Sequence, residues 1–272
     1  MAETASLPER AVVSLNRVRF DYTGKKTSHT ALDGISFDIR PGEFVCILGP
    51  SGCGKSTLLR LIAGLNRPSG GELTVRGEPV KGPGVDRAVV FQGYSLFPWL
   101  TAKGNILFGL KQSRRHPSPK ERNETADRYL EAVGLSDAAD KYPKELSGGM
   151  RQRVAVARAL ALESEILLMD EPFGAIDPRL RTELQELVSR LSYEEKKTVI
   201  FVTHDVGEAI LLADRIFVME PKRIASVAQV PFPHPRVREE IMRTEEYDRL
   251  RLQLTLAFYE KTGDVAGEGA GI

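Results

Sequence analysis

Residues 43–58 read Glu-Phe-Val-Cys-Ile-Leu-Gly-Pro-Ser-Gly-Cys-Gly-Lys-Ser-Thr-Leu. The apolar run Phe44 to Leu48 is typical of a short strand buried in a parallel sheet. Residues Gly49 to Ser56 match the glycine-rich phosphate-loop pattern, and the leucines that follow predict a helix. A strand, a glycine-rich loop and a helix in this order predict a site for the phosphates of a nucleoside triphosphate.

The residue types in this loop suit the chemistry of phosphate binding. Glycines allow the backbone to turn tightly and to bring its N–H groups close to phosphate oxygens. Lys55 supplies a positive charge for the β- and γ-phosphates, and a hydroxyl at Ser56 can ligate Mg²⁺. The predicted nucleotide-binding residues of the loop are Gly49, Pro50, Ser51, Gly52, Cys53, Gly54, Lys55, Ser56 and Thr57.

The composition sets outer limits on the class of protein. A hydrophobic fraction of 42% supports a packed core, and a net charge of +1 gives no electrostatic reason to expect nucleic acid as a partner. No segment approaches the ~18–20 continuous apolar residues of a membrane span. Residues 1–10 lack the apolar segment of a secretory signal, and neither Cys46 nor Cys53 is placed for a disulfide. We therefore expect a reduced, cytoplasmic setting.

The order of the predicted elements indicates an α/β fold with a mainly parallel sheet. Strand patterns within 11–45, at 71–76 and at 87–91 predict an antiparallel β layer beside the nucleotide core, with a polar loop from Thr23 to Thr30. Strands and helices alternate again from 165 to 219, as in parallel sheets that carry helices on both faces.

The helical spacing of apolar residues defines the remaining domain organisation. We predict a flexible N-terminus over 1–10 and a nucleotide-binding domain over 11–225, with a helical subdomain inserted at about 95–163. Residues 226–272 form a C-terminal extension with a proline-rich link, one helix near 245–261 and a disordered end.

Two carboxylates follow a predicted buried strand that begins at Glu165. Asp170 lies at the carboxyl edge of the sheet, where ligands of such folds bind, and it is placed to hold Mg²⁺. Glu171 comes next and is placed to orient and polarise an attacking water. Two acids at the end of a strand are common, so this interpretation depends on the phosphate loop upstream.

Other polar features carry weight only in combination. Ser147 can cap the helix that follows it, and Gly148 and Gly149 expose backbone donors at its positive end. Gln92 and His204 each follow a predicted strand, and either residue alone is an ordinary polar terminus.

Together these pieces resemble the ATP-binding cassette (ABC) ATPase subunits, in which they occur in the same order. The resemblance implies an ABC ATPase fold, a P-loop NTPase core with an inserted helical subdomain, and it implies ATP and Mg²⁺ as cofactors. It covers roughly residues 11–225 and depends on Gly49 to Thr57, Gln92, Leu146-Ser147-Gly148-Gly149, Met169-Asp170-Glu171 and His204.

The resemblance also implies individual roles. Tyr22 would stack on adenine, and Ser147 and Gly149 would clasp the γ-phosphate of ATP bound to the second copy in a head-to-tail dimer. The segment Phe173 to Asp177 resembles the loop that links the two sites, with Ile176 where leucine is more usual. The predicted catalytic residues are Lys55, Gln92, Glu171 and His204, and the predicted metal ligands are Ser56, Gln92 and Asp170.

Finer features are similar to the nitrate/sulfonate/taurine importer group: Gly84-Val85-Asp86-Arg87, the aromatic segment Leu96 to Leu100, and the tail Pro231 to Arg236. Gly104-Asn105 departs from the acid–asparagine pair common in that group. The resemblance implies an importer ATPase at the cytoplasmic face of the inner membrane, a peripheral subunit docked on transmembrane permease subunits. An extracytoplasmic solute-binding protein would act indirectly. Phe97-Pro98-Trp99 would receive a permease helix, and the alternative for these residues is simple packing of the helical subdomain.

Three other classes fit the sequence less well. A soluble ABC protein acting on ribosomes or DNA is the second hypothesis, and the chain shows no second cassette, long coiled-coil insertion or basic stripe. A small-molecule kinase would leave the Ser-Gly-Gly segment, Gln92 and His204 without a role. A GTPase is disfavoured because the chain has no Asn-Lys-x-Asp motif.

Overall fold

A computed structural model describes residues 11–24, 28–93, 95–113, 118–174 and 176–259. The chain forms two compact units. The first unit comprises residues 1–83 and 202–272, and the second unit comprises residues 84–201.

The described elements follow one another in this order: β1 (Val13–Thr23), β2 (Ser28–Ile39), β3 (Phe44–Leu48), α1 (Lys55–Ile62), β4 (Gly70–Val75), β5 (Glu78–Pro79), β6 (Arg87–Val90), α2 (Ala102–Ser113), α3 (Pro119–Ala132), α4 (Gly148–Ala161), β7 (Ile166–Asp170), α5 (Pro178–Glu194), β8 (Thr198–Thr203), α6 (Val206–Leu212), β9 (Arg215–Glu220), β10 (Arg223–Gln229), α7 (Arg238–Ile241) and α8 (Glu245–Tyr259). Two short 3₁₀ turns, Ser136–Ala138 and Pro143–Glu145, lie between α3 and α4.

The first unit contains the antiparallel layer, a sheet with the strand order β2-β1-β4-β5. The polar loop expected from Thr23 to Thr30 is wrong in extent, because β1 continues to Thr23 and β2 begins at Ser28. Polar cross-strand pairs hold this end of the ribbon together: the Thr30 hydroxyl donates to Asp21 over 2.6 Å, and Tyr22 pairs with His29. Residues 25–27 lie outside the described part of the chain.

The same unit contains the strand that leads to the phosphate loop. All five residues of β3 are at most 4% exposed, as a strand covered on both faces requires. β3 pairs in parallel with β9, which pairs antiparallel with β10. The sequence did not predict β10, because its side chains are mostly exposed and lack an apolar alternation.

The second unit contains the parallel pair β6 and β7, beside which β8 begins. The expectation that the strand at 87–91 belongs to the antiparallel layer is therefore wrong, because β6 pairs in parallel with β7. The segment expected to be helical, about 95–163, contains α2, α3 and α4, which pack against one another. Residues 114–117 lie outside the described part.

The C-terminal residues of the first unit form more structure than expected. The predicted helix near 245–261 is present as α8, and the short helix α7 precedes it. The predicted limits of the domains stay predictions, and the termini 1–10 and 260–272 lie outside the described residues. In the described part, no helix has both the length and the apolar character that crossing a membrane requires.

Candidate functional site

The phosphate loop is built around Lys55, the first residue of α1. Its side chain is 5% exposed, and Nζ donates to the carbonyl oxygens of Gly49 and Pro50, each over 2.8 Å. Among the described residues no carboxylate forms an ion pair with it. A buried ammonium group that lacks a counter-ion is costly. The loop therefore presents a site that an anion would stabilise.

Glycines shape the loop in two ways. Gly52 and Gly54 have positive φ angles of 81° and 114°, which L side chains rarely adopt. A Cβ atom at Gly49 would lie 2.5 Å from the carbonyl oxygen of Met219, and one at Gly54 would lie 2.9 Å from that of Ala31. A Cβ at Gly52 would meet open space instead. The loop is thus closely packed on one side and open on the other, which fits a phosphate group.

Tyr22 lies beside the first turn of α1. Its hydroxyl is 3.0 Å from the Thr57 hydroxyl, and its ring packs edge-on against Phe20 at 4.8 Å. The ring is 42% exposed and so presents an aromatic surface next to the phosphate loop. Ser51 is exposed, whereas Cys53 is buried and burial raises the pKa of its thiol. Cys53 and Cys46 are both buried free thiols.

His204 is exposed between the end of β8 and the start of α6. Its two neighbours are held in place. The Asp205 amide donates to the Thr203 hydroxyl over 3.0 Å, and that hydroxyl donates to Glu208 over 2.6 Å. The Asp205 carboxylate accepts from the Glu208 amide and so caps α6. Hydrogen bonds on both sides therefore fix the backbone that carries the imidazole.

In the second unit, the paired acids follow β7 as predicted. Asp170 ends the strand and is 5% exposed, and Glu171 has a φ of 46°. A non-glycine residue in this left-handed region stores strain of about 1–3 kcal/mol, which persists where the surrounding structure holds it. The Gln92 amide donates to the Glu171 carboxylate over 3.3 Å. The structure thus brings together two of the predicted catalytic residues.

Ser147 is the N-cap of α4, as predicted. Its hydroxyl accepts from the Met150 amide over 3.2 Å, and Gly148 and Gly149 form the first turn. Ser147 is exposed, so the positive end of the helix faces outward from this unit. In the loop Phe173 to Asp177, Ile176 is buried and Asp177 caps α5 by accepting from the Leu180 amide. Ala175 lies outside the described residues.

Phe97, Trp99 and Phe108, which follow Gln92 in the sequence, form an aromatic cluster. The Phe97 ring is 5.5 Å from that of Trp99 and 4.5 Å from that of Phe108, and Trp99 is 69% exposed. Asn105, fully buried, accepts from the Phe97 amide and donates to the carbonyl oxygens of Phe97, Leu100 and Thr101. This role of Asn105 was not predicted from the sequence. The available sequence signal was that a polar residue occupies an apolar position in the helical pattern of α2.

The predicted metal ligands carry oxygen atoms. Among the described residues there is no group of three His, Cys, Asp or Glu side chains placed to hold a metal. Ser56 in the first unit, and Gln92 and Asp170 in the second unit, each carry a side-chain oxygen atom, the kind of ligand that Mg²⁺ takes alongside phosphate and water.

Comparison with known proteins identifies the family. The profile described as ABC transporter matches residues 32–174. Over 267 residues the chain is 42% identical to the nitrate import ATP-binding protein NrtD of Synechococcus elongatus, which covers 95% of this chain and 97% of that protein. This chain belongs to the ABC transporter family. As a member, it is an ATPase that binds ATP and Mg²⁺.

One further sequence relative and one solved structure agree with this family assignment. The bicarbonate transport ATP-binding protein CmpD of Synechococcus elongatus is 43% identical over 233 residues, which covers 85% of this chain and 84% of that protein. The dimeric post-hydrolysis structure of the ATP-binding cassette MJ0796 with ADP and Pi matches with a TM-score of 0.76 and 34% identity, over 81% of this chain and all of that one. The predicted P-loop ABC fold is confirmed.

Proposed function

We propose that this ABC ATPase energises the import of a small anion, such as nitrate or bicarbonate, through a separate membrane permease. The observation that carries the proposal is the buried Lys55 in a glycine loop, for which the described residues provide no ion-pairing carboxylate. It occurs in a chain that is 42–43% identical to nitrate and bicarbonate import ATP-binding proteins. The structural observation supports a triphosphate site, and the relatives support import.

The phosphates bind at the loop of the first unit. The Lys55 ammonium group offsets phosphate charge, backbone N–H groups of residues 51–57 donate hydrogen bonds to phosphate oxygens, and Tyr22 offers its ring to the adenine. Ser56, Gln92 and Asp170 are the proposed Mg²⁺ ligands, and the bound ion offsets charge on the phosphate oxygens.

Hydrolysis requires an activated water in line with the γ-phosphate. The Glu171 carboxylate accepts the proton of this water, and the Gln92 amide that bonds to it restricts its orientation. The His204 imidazole contacts the γ-phosphate from its anchored position before α6. Charge that develops on the phosphoryl oxygens is stabilised by Lys55.

A second copy of the chain completes each site. Ser147, Gly148 and Gly149 lie at the exposed N-terminus of α4, whose amides and partial positive charge suit the γ-phosphate bound to the partner. The dimeric structure of the MJ0796 cassette supports a dimer of this chain. The head-to-tail dimer then docks on permease subunits at the cytoplasmic face of the membrane, and a solute-binding protein delivers the anion from the other side.

Reconstitution with the permease tests this function. Vesicles that contain the complex and a candidate binding protein should hydrolyse ATP faster with nitrate or bicarbonate than without it. The relevant control is the Glu171→Gln complex, which should not respond. Absence of a permease in co-purification, with a ribosome or DNA in its place, would refute import and favour the soluble alternative.

A further inference from the structure

Helix α6 is short, and His204 lies immediately before it. A helix of seven residues has few internal hydrogen bonds, so contacts outside it determine where its ends lie. Asp205 caps the first turn and thereby connects the helix to the backbone of His204. A shift of α6 therefore displaces the imidazole.

Arg236 binds the last turn of α6. Its side chain is 3% exposed, and Nη1 donates to the carbonyl oxygens of Ile210, Leu211 and Ala213 at 3.3, 3.3 and 2.7 Å. The last carbonyls of a helix have no partner within the helix. A single guanidinium group from the C-terminal residues satisfies carbonyls at this end and adds a positive charge where the helix dipole is negative.

Asp214 connects the same arginine to the strand before the phosphate loop. The Asp214 carboxylate accepts from the Phe44 amide over 2.8 Å, lies 3.0 Å from His234 Nε2 and lies 3.6 Å from Arg236. Burial opposes ionisation, yet the hydrogen bonds from His234 and Phe44 and the nearby Arg236 lower the pKa of Asp214. An ionised Asp214 thus fixes the guanidinium relative to β3.

A second contact holds the other end of α6. Tyr247 of α8 is 3% exposed, and a Cβ atom at Gly207 would lie 3.4 Å from its hydroxyl. Helix α8 therefore packs against the first turn of α6, with the Tyr247 hydroxyl close to Gly207. We name residues 230–236 together with α8 the C-terminal clamp.

We propose that the C-terminal clamp positions His204 for ATP hydrolysis, and that Arg236 is a positioning residue that acts through α6. The inference rests on the proposed function, in which His204 contacts the γ-phosphate. It assigns a role to the segment Pro231 to Arg236, which the mechanism above does not use. Arg236 neither touches nucleotide nor transfers a proton.

The first test compares Arg236→Met with Arg236→Lys in the full chain, with Arg243→Met, at an exposed site of the same region, as the matched control. We expect Arg236→Met to lower kcat for ATP hydrolysis by about tenfold and to leave the KM for ATP within twofold, because misplacing a group affects the reaction more than binding. Arg236→Lys should restore part of kcat. A folded Arg236→Met variant with wild-type kcat would overturn the inference.

A double-mutant cycle separates positioning from loss of stability. In a His204→Ala background, Arg236→Met should lower phosphate release by less than about twofold, since the group that it positions is gone. An undiminished tenfold effect would show that Arg236 does not act through His204. If Arg236→Met fails to fold, Arg236→Lys takes its place in the cycle, and wild-type kcat in that variant overturns the inference.

These experiments also distinguish a failure of the proposed function from a failure of the inference about the clamp. If the wild-type chain does not hydrolyse ATP, or if His204→Ala alone leaves kcat unchanged, then the assigned role of His204 is wrong. If His204→Ala lowers kcat and Arg236→Met does not, only the inference about the clamp fails.

Discussion

Gln92 donates a hydrogen bond from Nε2 to the carboxylate of Glu171 over 3.3 Å, although 79 positions separate them in the sequence. The acceptor belongs to a residue with a φ of 46°, which is unfavourable for a glutamate. The amide restricts the orientation of a carboxylate whose backbone is already strained. This pair is the basis for the first prediction.

We expect Glu171→Gln to block turnover and to permit ATP-dependent dimerisation. Glutamine keeps the shape of the side chain, but it carries no negative charge and cannot accept the proton of the attacking water. Loss of a general base typically lowers the rate by about 10²–10⁴-fold. Phosphate release and sizing chromatography with Mg-ATP measure the two effects. Glu163, which also has a positive φ, provides the control Glu163→Gln. Near-normal hydrolysis by Glu171→Gln would mean that another residue activates the water.

Lys55→Ala should weaken ATP binding and leave the fold intact. A charge-assisted hydrogen bond contributes about 1.5–3 kcal/mol, which corresponds to an affinity about ten- to a hundredfold lower. Equilibrium nucleotide titration and a thermal melt measure the two properties. Lys197 is the matched control, because it is equally buried and forms an ion pair with Glu195. Lys197→Ala should therefore lower stability and keep ATP affinity. Unchanged affinity in Lys55→Ala would contradict the phosphate-loop assignment.

Trp99→Ala should impair association with the permease. The indole is 69% exposed and next to Phe97, and large exposed aromatic side chains are common anchors at protein interfaces. A pull-down with the permease measures association, and a thermal melt shows whether the variant is folded. Tyr193→Ala removes another exposed aromatic side chain of the second unit and should bind as the wild type does. Undiminished association of Trp99→Ala, or its loss of folding, would refute docking at this cluster.

Asn105→Ala should destabilise the chain by about 1–3 kcal/mol or more, because buried backbone groups lose their hydrogen-bond partner. The hydrogen bonds of the Asn105 side-chain amide hold the segment from Phe97 to Thr101 against α2. Denaturant unfolding measures the loss. The control is Asn123→Ala, at an exposed site on α3, which should change stability by less than about 0.5 kcal/mol. Equal stability of the two variants would mean that Asn105 does not organise the loop.

We expect the ionisation of Asp214 to make the free energy of unfolding depend on pH. The pKa of its carboxyl is lower in the folded chain than its usual value, about 4 in an unfolded chain. The ionised carboxylate therefore stabilises the fold above about pH 4, and this stabilisation is lost as the pH falls through the pKa of the folded chain. The difference in the free energy of unfolding between the wild type and Asp214→Asn should shrink below about pH 4. A difference that stays constant from neutral to acid pH would contradict this account.

Local sequence was sufficient to identify the phosphate loop, the strand β3 and the acids at the end of β7. Each depends on contacts between residues close together in the chain: a backbone turn that requires Gly52 or Gly54, or an apolar run that must be buried. The cap at Ser147 is local for the same reason. The family resemblance followed from the order of these short segments.

Only the tertiary structure decided which distant residues meet. The edge strand β10 was missed because exposed side chains leave no apolar pattern, and Asn105 was missed because its partners are backbone groups that any sequence supplies. The contact of Arg236 with α6 was missed for the same reason, because the carbonyl groups that Arg236 binds belong to no sequence motif. Hydrogen bonds to main-chain atoms and contacts over long sequence separations depend on how the chain packs, so composition and periodicity do not reveal them.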